Sequence, residues 1–214
     1  MSSSTPTAPR TLTDALLPRE RSRAVDAALV VGFSAFVALT AQVALPLPFT
    51  PVPITGQTLG VLLTAAVLGP RLGALTMLVY LAEGLLGLPV FALGRSAWSM
   101  SSVPGLPVIV GPTAGYLLAT PLAAALVGAL AARGWDRRIS SAVPAMLLGN
   151  LVILLLGFAW LAAATWLLKG AVPVAALLGA SVYPFIPGDL FKIVIAALAL
   201  PGGWALVRRL RSRP

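Results

Sequence analysis

The chain has no histidine and no cysteine, and only 10% of its 214 residues are charged. Without histidine there is no Ser-His-Asp triad, no imidazole-zinc site and no HExxH protease motif. Without cysteine there are no disulfides, thiolate metal sites or cysteine nucleophiles. Neither GxxxxGKS nor GxxxxGKT occurs, so the chain carries no P-loop for ATP. Most hydrolytic and redox chemistry is thereby excluded. The shortage of charge excludes more, because soluble domains carry roughly 25% charged residues. Apolar residues fill the gap, at 58% of the chain and a mean hydropathy of +0.96. A soluble fold of this size cannot hide so much apolar surface in one core. The composition is that of an integral membrane protein: a channel, transporter, receptor or scaffold, and not an enzyme.

The net charge of +9 does not point to nucleic acid. The basic residues sit at the ends of apolar segments, where they orient a membrane protein.

A helix needs about 20 apolar residues to cross a bilayer. The first such run is Ala24 to Leu45. It is too long for a signal-peptide core of roughly 7–15 residues, and no A-x-A cleavage pattern follows it. The proline-rich stretch from Pro46 to Pro53 cannot be regular helix. Apolar sequence resumes from Ile54 to Leu68, breaks at Gly69-Pro70-Arg71, and continues from Leu72 to Leu88. Gly-Pro is a stop-and-restart signal, so two antiparallel helices joined by a tight turn are expected. A long loop from Pro89 to Pro112 follows, and long loops are usually functional or disordered. Further spans are expected from Thr113 to about Ala132, from Val143 to Leu168, and from Pro187 to about Val207, with a bend possible at Pro201-Gly202-Gly203. A looser apolar stretch connects Lys169-Gly170 to Tyr183-Pro184.

The expected architecture is an all-α membrane protein of six transmembrane helices. Residues 1–23 form an N-terminal tail expected to be mobile, 24–207 the membrane domain, and 208–214 a basic tail. Six spans place both termini on one side. If that side is the cytoplasm, it holds Arg10, Arg19, Arg21, Arg23, Arg71, Arg133, Arg137, Arg138, Arg208, Arg209, Arg211 and Arg213. Only Arg95 and Lys169 lie outside, and Lys192 lies within a span. This asymmetry is what the positive-inside rule demands, and a miscount by one helix would scramble it.

Ionisable residues within spans are costly, at about 2.5–3.5 kcal/mol on insertion scales, and so usually functional. Three occur: Glu83, Asp189 and Lys192. Asp189 and Lys192 are three apart, so they share a helix face and can pair. Asp189 also falls in the first turn after Pro187-Gly188, where the helix dipole favours an anion. The pair is either structural or the polar part of a ligand site near the outer face. Glu83 lies three residues after Tyr80, either in that site or at the outer surface. Gln57, at the start of the second helix, can face the same cavity. Asn150 is expected to make a helix–helix hydrogen bond. Arg95 is the one cation of the long outer loop. Ala24, Ala28 and Gly32 form a small-residue stripe on the first helix, with Ser34 and Ala38 on another; such stripes let membrane helices approach closely.

Several segments read together carry a resemblance. They are Thr50-Pro51-Val52-Pro53-Ile54-Thr55-Gly56-Gln57-Thr58-Leu59, Leu68-Gly69-Pro70-Arg71-Leu72-Gly73, Tyr80-Leu81-Ala82-Glu83-Gly84 with Gly87-Leu88-Pro89-Val90-Phe91, Gly111-Pro112-Thr113-Ala114-Gly115-Tyr116-Leu117, and Pro187-Gly188-Asp189-Leu190-Phe191-Lys192. In this order, over roughly residues 24–200, the chain resembles the BioY family, the biotin-binding S components of energy-coupling factor (ECF) transporters. The resemblance implies a six-helix protein that captures biotin from outside. It also implies a transmembrane coupling protein and two cytoplasmic ATPases as partners, so ATP is used on other chains and this one needs no cofactor. In the family the first-helix stripe meets the coupling protein, which assigns that role to Ala24, Ala28 and Gly32, and the Asp and Lys of the last-helix motif lie in the ligand pocket. Two departures are visible: Ala114 stands where the family more often has Gly, and Ala119-Thr120 where Gly-Phe is common.

Biotin presents two ureido N–H donors, one carbonyl acceptor, a thioether ring and a carboxylate on an aliphatic chain. Asp189 can accept from the N–H groups and Lys192 can donate to the carbonyl. Phe91, Trp98, Tyr80 and Tyr116 are candidate walls, and Arg95 is the nearest outside cation for the carboxylate. Expected partners are biotin, membrane lipid and the ECF module, with room for a homo-oligomer and none for nucleic acid. The alternatives are a stand-alone secondary transporter, an S component for another small vitamin, or a scaffold with a structural Asp-Lys pair.

Overall fold

In the computed structural model, which describes residues 11–17 and 21–212, nearly every apolar run becomes helix. The elements are α1 (Leu12–Leu16), α2 (Arg23–Gln42), α3 (Gln57–Leu85), α4 (Ala114–Ala132), α5 (Ile139–Lys169), α6 (Val174–Ser181) and α7 (Ile186–Arg211). Two short strands, β1 (Ala44–Leu45) and β2 (Ile54–Thr55), pair antiparallel between α2 and α3. Five helical segments are long and apolar enough to cross a membrane, and the chain is a multi-pass membrane protein.

One of those five is folded back on itself. Gly69 has φ +81° and ψ −177°, which is not helical. In a straight helix Gln57 and Tyr80 would stand about 34 Å apart. Instead the Gln57 side chain donates to the Tyr80 hydroxyl at 3.1 Å. A Cβ on Gly73 would lie 3.0 Å from the Cα of Ala65, across the turn. So 57–68 and 70–85 are antiparallel rods, as Gly69-Pro70 predicts, and the bundle has six. Pro70 suits the restart because the first residues of a helix need no N–H partner inside it. Gly128 of α4 packs against the turn itself, where any Cβ would run into the Gly69-Pro70 backbone.

The two rods of α3 and helix α4 form the centre, with Val61, Leu62, Ala65 and Met77 packed among Ala123, Ala124 and Val127. Small residues bring α5 close: Gly115 lies under Trp160, and Gly157 lies under the ring of Tyr116. Helix α2 lies at the edge. Val30, Ser34, Val37 and Ala41 form its buried face, while Val31 and Leu39 point outward.

The structure corrects several expectations. Residues 12–16 are anchored. Thr11 and Asp14 form a reciprocal capping box, the Thr13 hydroxyl donates to the Val67 carbonyl at 2.8 Å, and Leu12 is buried beside Gly203. The remainder of the tail expected to be mobile, residues 1–10 and 18–20, lies outside the described residues, as do Arg10, Arg19 and Arg213. The looser stretch after Gly170 contains α6. Helix α7 stays helical across Pro201-Gly202-Gly203 and on through Arg208 and Arg209. The long loop is folded: Phe91 and Arg95 pair backbone to backbone, as do Met100 and Pro107. The first of these turns carries Leu93 at φ +63°.

Candidate ligand cavity

The start of α7 meets the start of α3 and the middle of α5 around one cavity. Asp189 sits in the first turn of α7, and Lys192 one turn further on. Their carboxylate and ammonium are 2.7 Å apart, and both residues are buried. Each is held by a second element. Lys192 Nζ also donates to Thr58 Oγ1 at 2.6 Å and to the Thr55 carbonyl at 3.0 Å. Asn150 Nδ2 donates to the other Asp189 oxygen at 2.9 Å. The Thr55 carbonyl is free to accept because β2 lasts only two residues before α3 begins. Hydrogen bonds on both charges are what a buried ion pair needs to offset its desolvation.

The cavity holds about 800 Å³, its open mouth included. Its polar lining includes Thr55, Gln57, Thr58, Thr113, Thr120, Asn150, Asp189 and Lys192. Val52 and Pro53 come from the proline-rich stretch, Ile153 and Leu154 from α5, and Val108 from the long loop. Phe91, Tyr116 and Phe185 add aromatic wall, and Arg95 is the lining cation besides Lys192. The stretch that cannot be helix therefore builds one side of the cavity, and the long loop another.

Of the residues proposed from sequence, Asp189, Lys192, Arg95, Gln57, Phe91 and Tyr116 line this cavity. Tyr80 stands behind it. It is fully buried, packs edge-on against Phe91 at 5.3 Å, and donates to the Val90 carbonyl at 3.0 Å. Its role is to support the wall. Tyr116 is fixed by donating to the Ser181 carbonyl at 2.7 Å.

Glu83 and Trp98 do not line the cavity. The Glu83 carboxylate is captured by the Ser34 hydroxyl of α2, which donates to it. Trp98 is 63% exposed. Its indole N–H donates to the Leu85 carbonyl at 2.8 Å, filling one of the acceptors left open where α3 ends. Asn150 makes the expected interhelical bond, and its partner is Asp189 itself. Thr55 and Thr58 were missed as partners of Lys192. For Thr58 the signal lay in a hydroxyl beside Gln57 at a helix start; Thr55 uses its backbone carbonyl, which no residue type advertises.

Ala24, Ala28 and Gly32 lie exposed on the outer side of α2. A Cβ on Gly32 would meet nothing within 4 Å. Ser34 is instead turned inward and fully buried. Among the described residues no group of His, Cys, Asp and Glu could hold a metal ion.

A bundle of six membrane rods around a cavity floored by a braced ion pair is a multi-pass membrane protein built to hold a small polar molecule. The profile of the BioY family matches residues 13–209. The chain is 39% identical over 176 residues to the probable biotin transporter BioY of Pyrococcus horikoshii, covering 82% of this chain and 94% of that one. It is 41% identical over 170 residues to the biotin transporter BioY of Rhodobacter capsulatus, covering 76% and 83%. The fold is similar to the crystal structure of the S-component for biotin from an ECF-type ABC transporter, with a TM-score of 0.65 at 24% identity, covering 90% of this chain and 93% of that one. The chain belongs to the BioY family.

Proposed function

We propose that this protein captures biotin from outside the cell as the S component of an ECF-type transporter. The observation that carries the reading is the Asp189–Lys192 pair, braced by Asn150, Thr55 and Thr58 at the wall of an otherwise largely apolar cavity. Biotin needs a few donors and acceptors for its ureido ring, apolar walls for its thioether ring and chain, and a cation for its carboxylate. Asn150, Asp189 and Gln57 supply the first, Phe91, Tyr116 and Ile153 the second, and Arg95 the third. The family membership and the named relatives support the same ligand.

Partner chains supply the energy in this reading: a transmembrane coupling protein and two ATPases, with the exposed Ala24-Ala28-Gly32 stripe as the docking face. The distribution of basic residues supports a cytoplasmic location for both termini. Reporters fused to each terminus would read this directly, and an external C-terminus would contradict it. Gly32→Trp should weaken co-purification with the coupling protein while leaving ligand binding intact.

The decisive experiment is calorimetric titration of the purified chain with biotin, thiamine and riboflavin. Saturable binding of biotin alone is expected. Binding of either other vitamin in its place would overturn the proposal.

A further inference from the structure

The first two turns of α2 have little to lean on. From Arg23 to Leu29 no side chain is buried, and the first that is buried is Val30. Ala24 and Ala28, two of the three stripe residues, lie on these turns. Membrane helices are held together by packing contacts and interhelical hydrogen bonds, and this end of α2 makes no buried packing. The next polar anchor along the helix is Ser34, on Glu83.

Arg21 supplies the missing tie. Its Nε donates to Asp26 Oδ1 at 3.0 Å, in the first turn of α2. Its Nη1 donates to Asp14 Oδ1 at 3.2 Å, in α1. A guanidinium is a rigid planar fork, so one half-buried side chain fixes two carboxylates relative to each other.

Helix α1 is itself firmly held. A helix of five residues does not persist alone; this one is wedged between the α3 turn and α7. The Thr13 hydroxyl donates to the Val67 carbonyl, one of the last four carbonyls of the rod 57–68, which lack partners within that rod. The Thr11 methyl lies against Gly69, where a Cβ would stand 2.8 Å from it. Leu12 and Ala15 are buried, with Leu12 on Gly203 of α7. The chain thus runs from the core through α1 and Arg21 to the unsupported end of α2.

We propose that α1 and Arg21 form a strap that presents the inner half of α2 to the coupling protein, with Arg21 as the positioning residue. This rests on the docking face proposed above. A partner helix that packs closely on Ala24 and Ala28 needs them in one place. If the untied end adopts the docking pose only a tenth of the time, apparent affinity falls about tenfold.

The test uses the full chain, which has no cysteine of its own, so spin labels attach only where cysteines are introduced. Labels at Ala24→Cys and Arg71→Cys, both exposed, measure the inner end of α2 against the α3 turn; labels at Leu39→Cys and Leu88→Cys measure its outer end. Arg21→Ala should broaden the first distance distribution and leave the second unchanged. Asp26→Asn, which leaves the anchoring of α1 intact, should broaden the first less. Without labels, Arg21→Ala should retain about a tenth as much coupling protein on co-purification, with biotin affinity within about twofold of wild type. An unchanged first distribution in both variants would overturn the proposal, as would tighter association with the coupling protein or a large loss of biotin affinity in folded protein. A wild type that recruits no coupling protein would overturn the docking reading and the strap's role with it. A broadened inner end with wild-type recruitment overturns this proposal alone.

Discussion

Helix α7 has a buried carboxylate near each end, one its own and one on the α4–α5 turn, and the two are built differently. Near its start Asp189 uses both oxygens, one on Lys192 and one on Asn150, beside a cavity. About 22 Å along the helix, Trp204 Nε1 donates to Asp136 Oδ2 at 2.6 Å. The other Asp136 oxygen is sealed in with no partner, and the Arg137 guanidinium lies 4.7 Å over the Trp204 ring. Both carboxylates are buried, so burial does not tell a binding site from a clasp. The distinction lies in what surrounds each carboxylate. Asp189 and its partners Lys192, Asn150 and Thr58 all line the cavity. Among the described residues no cavity-lining residue bonds Asp136, and its bond to Trp204 fastens the α4–α5 turn onto α7.

The largest test of this contrast is Lys192→Met. It strands Asp189 without its cation, and breaking a buried pair from one side costs about 3–5 kcal/mol. Thermal unfolding in detergent should show a clear drop, with biotin binding lost. A full melting temperature with intact binding would break the comparison.

Trp204→Phe is the matching change at the other end. It removes the N–H on Asp136, and a hydrogen bond to a charged group contributes about 1.5–3 kcal/mol. Melting should fall while the biotin affinity of the folded fraction stays at the wild-type value. A large loss of affinity would show that the two ends are coupled.

The third test uses pH. Burial raises the Asp136 pKa above the ordinary carboxylate value, against the opposing hydrogen bond from Trp204. The folded protein thus holds this proton more tightly than the unfolded chain. Between the ordinary value and the raised one the unfolded state binds fewer protons, so this group's contribution to stability falls as pH rises. Melting temperatures from about pH 4 to about pH 7 should show wild type losing ground to Asp136→Asn with rising pH. A constant difference across that window would remove Asp136 from the account.

Arg95→Gln should have the smallest effect. Arg95 is half-exposed at the cavity mouth, where an ion pair is worth about 0–1 kcal/mol. Biotin affinity should fall by roughly fivefold or less. A loss as large as that of Lys192→Met would place the ligand's charged end deep, and would shift the binding determinants from the floor to the mouth.

What the sequence made legible follows from the range of the interactions. Gly69-Pro70 is a local signal, and the fold-back is there. Asp189 and Lys192 lie one turn apart, and their pairing is there too. Trp98 and Glu83 were placed by neighbourhood, and long-range partners took them elsewhere: Leu85 for the indole and Ser34 for the carboxylate. The Asn150–Asp189 bond spans 39 residues, so no spacing rule could reveal it. The docking of α1 had a readable half. Thr11-Leu12-Thr13-Asp14 has the spacing of a capping box, but the groove that receives Leu12 exists only once α7 is in place.

The fold-back at Gly69 leaves the first rod of α3 only twelve residues long, about 18 Å against a hydrocarbon core of roughly 30 Å. A rod that short stops before the membrane does. The missing depth is filled by the proline-rich stretch and the two-residue strands, irregular backbone that a bilayer tolerates only when protein or a water-filled hollow surrounds it. The vestibule is thus the volume that an unfinished helix vacates. The prolines at positions 51 and 53 keep it open by opposing extension of the helix into the cavity.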